Sequence, residues 1–178
     1  MFLKQFIVKY VMADKKSKIQ NDYDASAETY DSRYCKIQNE KFLAALEGLN
    51  IKDRIVDLGC GTGLLSEFLN KKIFGCDISF EMLRKAKKRG MLVVQADLDL
   101  LPFKSEAFNS VVSFTSIQNL PKPDATLKEI KRISNSSSVI VLTYLKKFDF
   151  SNQIQKEFDV LEIRDLGEDE GFILGSNK

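Results

Sequence analysis

Val56-Asp57-Leu58-Gly59-Cys60-Gly61-Thr62-Gly63 is the stretch that decides the fold. A short β-branched run at 54–58 enters a turn holding Gly59, Gly61 and Gly63. Residues 62–70 follow with Leu65, Phe68 and Leu69 spaced to face inward on a helix. Strand, glycine turn and helix in that order open a parallel α/β unit, and glycines there let the backbone approach a ligand closely. The next acid at the end of an expected strand is Asp77, 18 positions past Gly59. A carboxylate so placed suits a ribose diol.

Outward from the turn the pattern alternates. On the amino-terminal side, residues 24–49 read as a helix, with Phe42, Leu43, Leu46 and Leu49 on one face and Gly48 and Asn50 as stop signals. Beyond the turn, strands are expected at 72–77, 91–96, 110–114 and 138–145, and helices at 80–89, 124–133 and 151–158. Two last strands, 160–166 and 171–174, are joined by an acidic turn at 167–170. Alternating strands and helices argue for a mostly parallel sheet, and the closing pair for an antiparallel strand added to it.

Two ligand classes use such a turn. A dinucleotide wants GxGxxG, with its pyrophosphate against the helix N-terminus. Here the third glycine comes one position early, giving GxGxG followed by Leu64. Asp57 adds a second argument, because a carboxylate at the mouth of the turn repels a pyrophosphate and attracts an ammonium. S-adenosylmethionine carries an ammonium, a ribose diol and an adenine but no phosphate, so these residues fit it better. The plain alternative is a turn whose glycines serve packing alone.

Three further stretches follow in order: GCDIS at 75–79, QADLDLLPF at 95–103 and FNSVVSFTSIQNL at 108–120. With DLGCGTG at 57–63 they resemble the class I S-adenosylmethionine-dependent methyltransferases, and within these the small methyltransferase-domain (type 11-like) group, over residues 20–145. The resemblance implies a doubly wound, Rossmann-like α/β sheet of seven strands in the order 3-2-1-4-5-7-6, with strand 7 antiparallel. One domain is expected over 1–178, with a helical lid at 1–50 and the core at 51–178.

The resemblance also implies a site. Gly59, Gly61 and Gly63, with Cys60 in the same turn, would lie under the methionine portion, and Asp57 would reach its ammonium. Asp77 would take the ribose hydroxyls, with Ile78 against the adenine. Asp97 would accept from the adenine amino group, and the Leu98 backbone would follow the ring edge. Ser113, Thr115 and Ser116 would run beneath the sulfonium. The block DYDASAETYD at 22–31 resembles the family's lid, so Tyr23, Tyr30 and Tyr34 would close over cofactor or substrate. The implied cofactor is S-adenosyl-L-methionine, its product S-adenosyl-L-homocysteine, and no metal is called for.

Methyl transfer from a sulfonium is an in-line displacement, for which the protein supplies position and field. A general base is needed only if the nucleophile arrives protonated. The chain has no histidine, so the candidates are Tyr30 and Asp31. Gln118 and Asn119, just after the fourth strand, stand where the family orients its acceptor; alternatively they cap the helix that follows 121–123. The [DN]PP[YF] signature of amide and adenine-amino methyltransferases is missing after that strand, as is the Pro-Cys pair of cytosine-C5 enzymes. Only residues 146–150 separate the fifth strand from the next helix, where the family often inserts substrate-recognition segments. The expectation is an open acceptor site, for a large substrate or for one completed by a small activator or partner protein.

Composition narrows the classes. With 178 residues, 44% hydrophobic and 29% charged, the chain is long enough to bury a core without disulfides or metal. Lys+Arg 27 against Asp+Glu 25 neither announces nor excludes a nucleic-acid substrate, and the basic run RKAKKR at 84–89 spreads around a helix. No apolar run approaches the ~20 residues of a membrane span. Cys35, Cys60 and Cys76 have no CxxC spacing, which fits a reducing cytoplasm. The stretch MFLKQFIVKYVM is too short for a span and, with Lys4 and Lys9, too broken for a signal peptide. It reads as a helix or strand over a core edge, with translation starting at Met1 or Met12. Two rival functions stand beside the methyltransferase: a regulatory or assembly subunit that binds the cofactor without catalysis, and a nicotinamide-dependent oxidoreductase.

Overall fold

The computed structural model describes residues 2–120 and 123–175, and side chains from Lys15 onward. A long helix α1 (Phe2–Leu46) leads into β1 (Ile55–Leu58), α2 (Leu64–Leu69), β2 (Phe74–Asp77), α3 (Phe80–Lys88) and β3 (Leu92–Gln95). Then come β4 (Phe108–Phe114), α4 (Asp124–Ile133), β5 (Ser134–Leu145), α5 (Ser151–Glu157), β6 (Asp159–Leu166) and β7 (Asp169–Gly175). The seven strands form one sheet in the order β3-β2-β1-β4-β5-β7-β6, and β7 runs antiparallel to both its neighbours. This is the order the family resemblance implied.

The central strands are apolar on both faces because both are covered. Ile55, Val112, Val141 and Ile173 join a core with Phe42, Leu65 and Leu83 on the side of α1, α2 and α3. Their neighbours Val56, Val111, Ile140 and Phe172 join Leu127, Ile130 and Ile154 on the side of α4 and α5. One strand thus feeds two cores by simple alternation, so the apolar residues of β1 and β4 fall on both faces of the sheet.

Most boundaries fall within two residues of the sequence expectation, and three differences bear on the packing and the site. Helix α1 begins far before residue 24, through the polar stretch that carries no apolar period. For the stretch MFLKQFIVKYVM, the question of which core edge its side chains cover lies outside the described residues. Strand β5 starts at Ser134 rather than 138, with an irregularity opposite Phe108 and Ser110 that side-chain hydrogen bonds of Asn135 and Ser138 accommodate. The last turn is shorter than 167–170. Gly167 adopts a φ of 77°, Leu166 pairs with Asp169, and only two residues remain in the loop. Asp169 and Glu170 therefore belong to β7.

Helix α1 is fastened at its C-terminal end by the edge strand. Arg164 of β6 donates to the carbonyls of Ala44, Ala45 and Glu47 at 2.9–3.1 Å, satisfying groups that helix geometry leaves without partners. Replacing it by alanine (Arg164→Ala) should lower the unfolding free energy by about 1–2 kcal/mol. Urea denaturation checks this, and an unchanged midpoint would show that the cap contributes nothing.

Candidate active site

The turn after β1 is held from below. The Gly59 and Cys60 amides both donate to the Cys76 carbonyl, at 2.8 and 3.0 Å. Gly59 has a φ of 77°, and a Cβ there would stand 2.6 Å from the Ser116 Cβ. Glycine at 59 thus lets β4's loop meet the turn. Gly63 serves a different purpose. A Cβ on it would lie 2.7 Å from the Met91 sulfur and 3.0 Å from the Ala86 Cα, so it admits α3 against the turn and stands back from the cavity. Ser113 also stands back: it is fully buried and donates to the Leu58 carbonyl beneath the turn.

Two carboxylates frame the turn. Asp77, at the end of β2, accepts from the Gly61 and Ser79 amides, each at 2.9 Å. Burial raises its pKa, and those backbone donors oppose the rise. Asp57 is also buried, and among the described residues no donor reaches its carboxyl. Burial, and then the charge of Asp77, push it up to about 8. Asp57 lines a small cleft of about 40 Å³ with Gly59, Cys60 and Gly61.

That cleft adjoins a cavity of about 890 Å³, near the upper end of small-molecule sites. Gly59, Gly61, Asp77, Ile78, Asp97 and Leu98 line one end of it, and Thr115, Ser116, Gln118 and Asn119 continue the wall. The sequence-derived residues other than Asp31, Gly63, Ser113, Asp57 and Cys60 therefore share one cavity. Asp97 is engaged: its Oδ2 accepts from Lys16 at 2.6 Å and its Oδ1 from the Asp99 amide at 3.1 Å.

Helix α1 forms the roof. Tyr23, Tyr30 and Tyr34 line the cavity from above. The Tyr23 hydroxyl accepts from Asn119 Nδ2 at 3.0 Å, closing roof onto wall. Burial drives the Tyr30 phenol well above its ordinary range, so its hydroxyl keeps its proton. Both oxygens of Asp31 are engaged: Thr62 Oγ1 donates to one at 2.5 Å and Arg89 to the other at 2.9 Å. Asp24 caps α3, accepting from the Ser79 hydroxyl and the Glu81 amide.

Among the described residues Gln118 and Asn119 bond no amide of α4: Gln118 reaches the Thr115 carbonyl and Asn119 the Tyr23 hydroxyl. They form a short 3-10 turn in which Gln118 Nε2 donates to the Thr115 carbonyl at 2.6 Å. The role of Pro121 in capping α4 lies outside the described residues. Three residues at this end carry no sequence motif: Lys41, Thr143 and Asp169. Lys41 Nζ lies 2.7 Å from Asp169 Oδ2 and 2.5 Å from Thr115 Oγ1, and both partners of the ion pair are almost fully buried. Thr115 has a φ of 54°, unusual for a β-branched residue, and hydrogen bonds to Thr143 and Asp169 hold it there. The basic run on α3 is largely spent on the protein's own acids: Arg84 and Lys85 pair with Glu28, and Arg89 with Asp31 and Glu67. Among the described residues, no group of three or more His, Cys, Asp or Glu side chains is placed to hold a metal ion, and no helix is long and apolar enough to cross a membrane.

A family model described as a methyltransferase domain matches residues 56–142. An uncharacterised protein of Methanocaldococcus jannaschii is 32% identical over 139 residues, covering 77% of this chain and 67% of that protein. A malonyl-[acyl-carrier protein] O-methyltransferase of Hamiltonella defensa is 30% identical over 152 residues, covering 82% of this chain and 57% of that enzyme. The chain thus spans between about half and two thirds of the length of these curated relatives. A crystal structure of an S-adenosylmethionine-dependent methyltransferase from Thermotoga maritima superposes with a TM-score of 0.77 at 18% identity, covering 89% of this chain and 99% of that one. A Haloferax volcanii methyltransferase solved with its Trm112 activator superposes at 0.71 and 16% identity, over 88% of this chain and 98% of that one. With its strand order, its glycine turn and these matches, the chain belongs to the type 11 methyltransferase-domain family of class I S-adenosylmethionine-dependent methyltransferases.

Proposed function

We propose that the chain binds S-adenosylmethionine at the glycine turn and transfers its methyl group to an acceptor held at the Thr115 end of the cavity. The observation that carries this is the pair of buried carboxylates around the turn, one of them without a donor. A pyrophosphate brought there would meet two acids, whereas an ammonium supplies the charge and the donors that Asp57 lacks. Asp77 keeps lone pairs for the ribose hydroxyls beyond its two backbone bonds. Ile78 and Leu98 supply apolar surface for the adenine. Asp97 would accept from the adenine amino group once Lys16 moves aside or bonds Asp99 alone, which it already reaches at 2.6 Å. When bound, the sulfonium supplies the reactive methyl; the protein holds it and the acceptor in line.

The cavity continues past Thr115 to Leu120 and Asp169, so room remains in front of the expected methyl position. That favours an enzyme over a subunit that binds the cofactor without catalysis. In this reading residues 1–50 act as the lid and 51–178 as the core. The free cysteines fit a cytoplasmic setting. A protein partner remains part of the proposal, with the activator complex of the haloarchaeal relative as its support.

Calorimetric titration tests the reading. S-adenosylhomocysteine should bind the full chain with one-site stoichiometry, and NAD should not. Asp77→Ala should weaken that binding by about 1–3 kcal/mol, the cost of a lost hydrogen-bond partner. Tight NAD binding, or no binding of S-adenosylhomocysteine, would overturn the assignment.

A further inference from the structure

The acceptor end of the cavity has a definite chemistry. Asp169, the first residue of β7, is almost fully buried, yet its bonds all go to one oxygen. Lys41, Thr115 and Thr143 meet Oδ2, and among the described residues no donor reaches Oδ1. Gln118 lies beside it, joined to the carbonyl of the same Thr115. Because its Nε2 faces that carbonyl, the amide cannot be turned round, and its Oε1 is buried with no donor among the described residues. Gln118 Oε1 is thus a buried acceptor without a donor, where a buried polar group ordinarily has a partner, and Asp169 Oδ1 takes no bond from the described residues.

Glu40, Asp165, Glu168 and Asp169 line the cavity with Arg33 and Lys41. Asp165 pairs with Lys146, Glu40 with Lys36 and Asp169 with Lys41, which leaves Glu168 against Arg33. The rings of Tyr30 and Tyr34, with centroids 4.9 Å apart, line the same cavity, and aromatic faces attract ammonium groups. A hydroxyl brings one donor to the two acceptors, and a carboxylate brings none.

We propose that this end is an amine subsite: the acceptor carries a primary amine that loses its third proton to solvent, keeps its two N–H groups on Asp169 Oδ1 and, after a small side-chain shift, on Gln118 Oε1, and takes the methyl group on the freed lone pair as the cofactor's carbon–sulfur bond breaks. Lys41 fixes the other oxygen of Asp169 and so sets the direction of the bond. The inference rests on the methyltransferase reading, because it assigns the acceptor for that same cavity.

The test uses the full chain saturated with S-adenosylhomocysteine and titrated at constant ionic strength with benzylammonium or, separately, benzoate. Benzylammonium should bind saturably and at least about tenfold more tightly than benzoate, and Asp169→Asn should weaken it by about tenfold. The same variant should hold S-adenosylhomocysteine within about twofold of the original affinity. If Asp169→Asn fails to fold, the amine-to-carboxylate preference of the unaltered chain still decides. Benzoate binding as tightly as the amine, neither probe binding, or an amine affinity unmoved in folded Asp169→Asn would overturn the subsite and leave the cofactor assignment standing. Failure of S-adenosylhomocysteine itself to bind would defeat the underlying reading, and the subsite with it.

Discussion

A carboxyl group that the protein buries and does not satisfy governs the site. Asp57 ends no helix and pairs with no cation among the described residues. The empty protein tolerates it by letting it hold a proton, which is what a pKa of about 8 expresses. The strand around it is fixed on both sides, by β2 and by β4, so the carboxyl stays facing the small cleft beside the glycine turn. The glycine turn follows two residues later and brings Asp77 to the same place. A ligand that presents a cation to Asp57 and hydroxyls to Asp77 relieves both burdens.

Helix α1 closes the site by polar means. Of its described residues, Ala27, Phe42, Ala45 and Leu46 are the apolar side chains it buries fully. Elsewhere it is held by Lys16 on Asp97 and Asp99, Asp24 on the N-terminus of α3, Glu28 on Arg84 and Lys85, Asp31 on Arg89, and Lys41 on Asp169. Partly exposed ion pairs contribute little each and are screened by salt. Such a roof can sit firmly over the cavity and still be displaced without dismantling an apolar core.

The same contrast explains what was legible in the sequence. The strands, the glycine turn, Asp57 and Asp77 were readable because a two-sided sheet writes itself as apolar runs ending in turn residues. The first half of α1 was not, since a helix docked through Lys16, Asp24, Glu28 and Asp31 has no reason to repeat apolar residues every three or four positions. Lys41 and Asp169 were invisible for a related reason. Their meeting depends on the two-residue turn at Gly167, which sets the register of β7 and draws an acid that looked like loop into the wall. The retreat of Gly63 from the cavity could not be read either, because its neighbours Met91 and Ala86 lie far along the chain.

The account can be tested at its root by proton counting. With Asp57 up at about 8, the carboxyl is mostly protonated at pH 7, and a bound ammonium favours its ionised form. Binding of S-adenosylhomocysteine at pH 7, measured calorimetrically in buffers of different ionisation enthalpy, should therefore release most of one proton. The affinity should rise as pH climbs toward 8, and Asp57→Asn should abolish the release. Binding without proton release, or the same release from the Asn variant, would contradict the claim that Asp57 receives the ligand's charge.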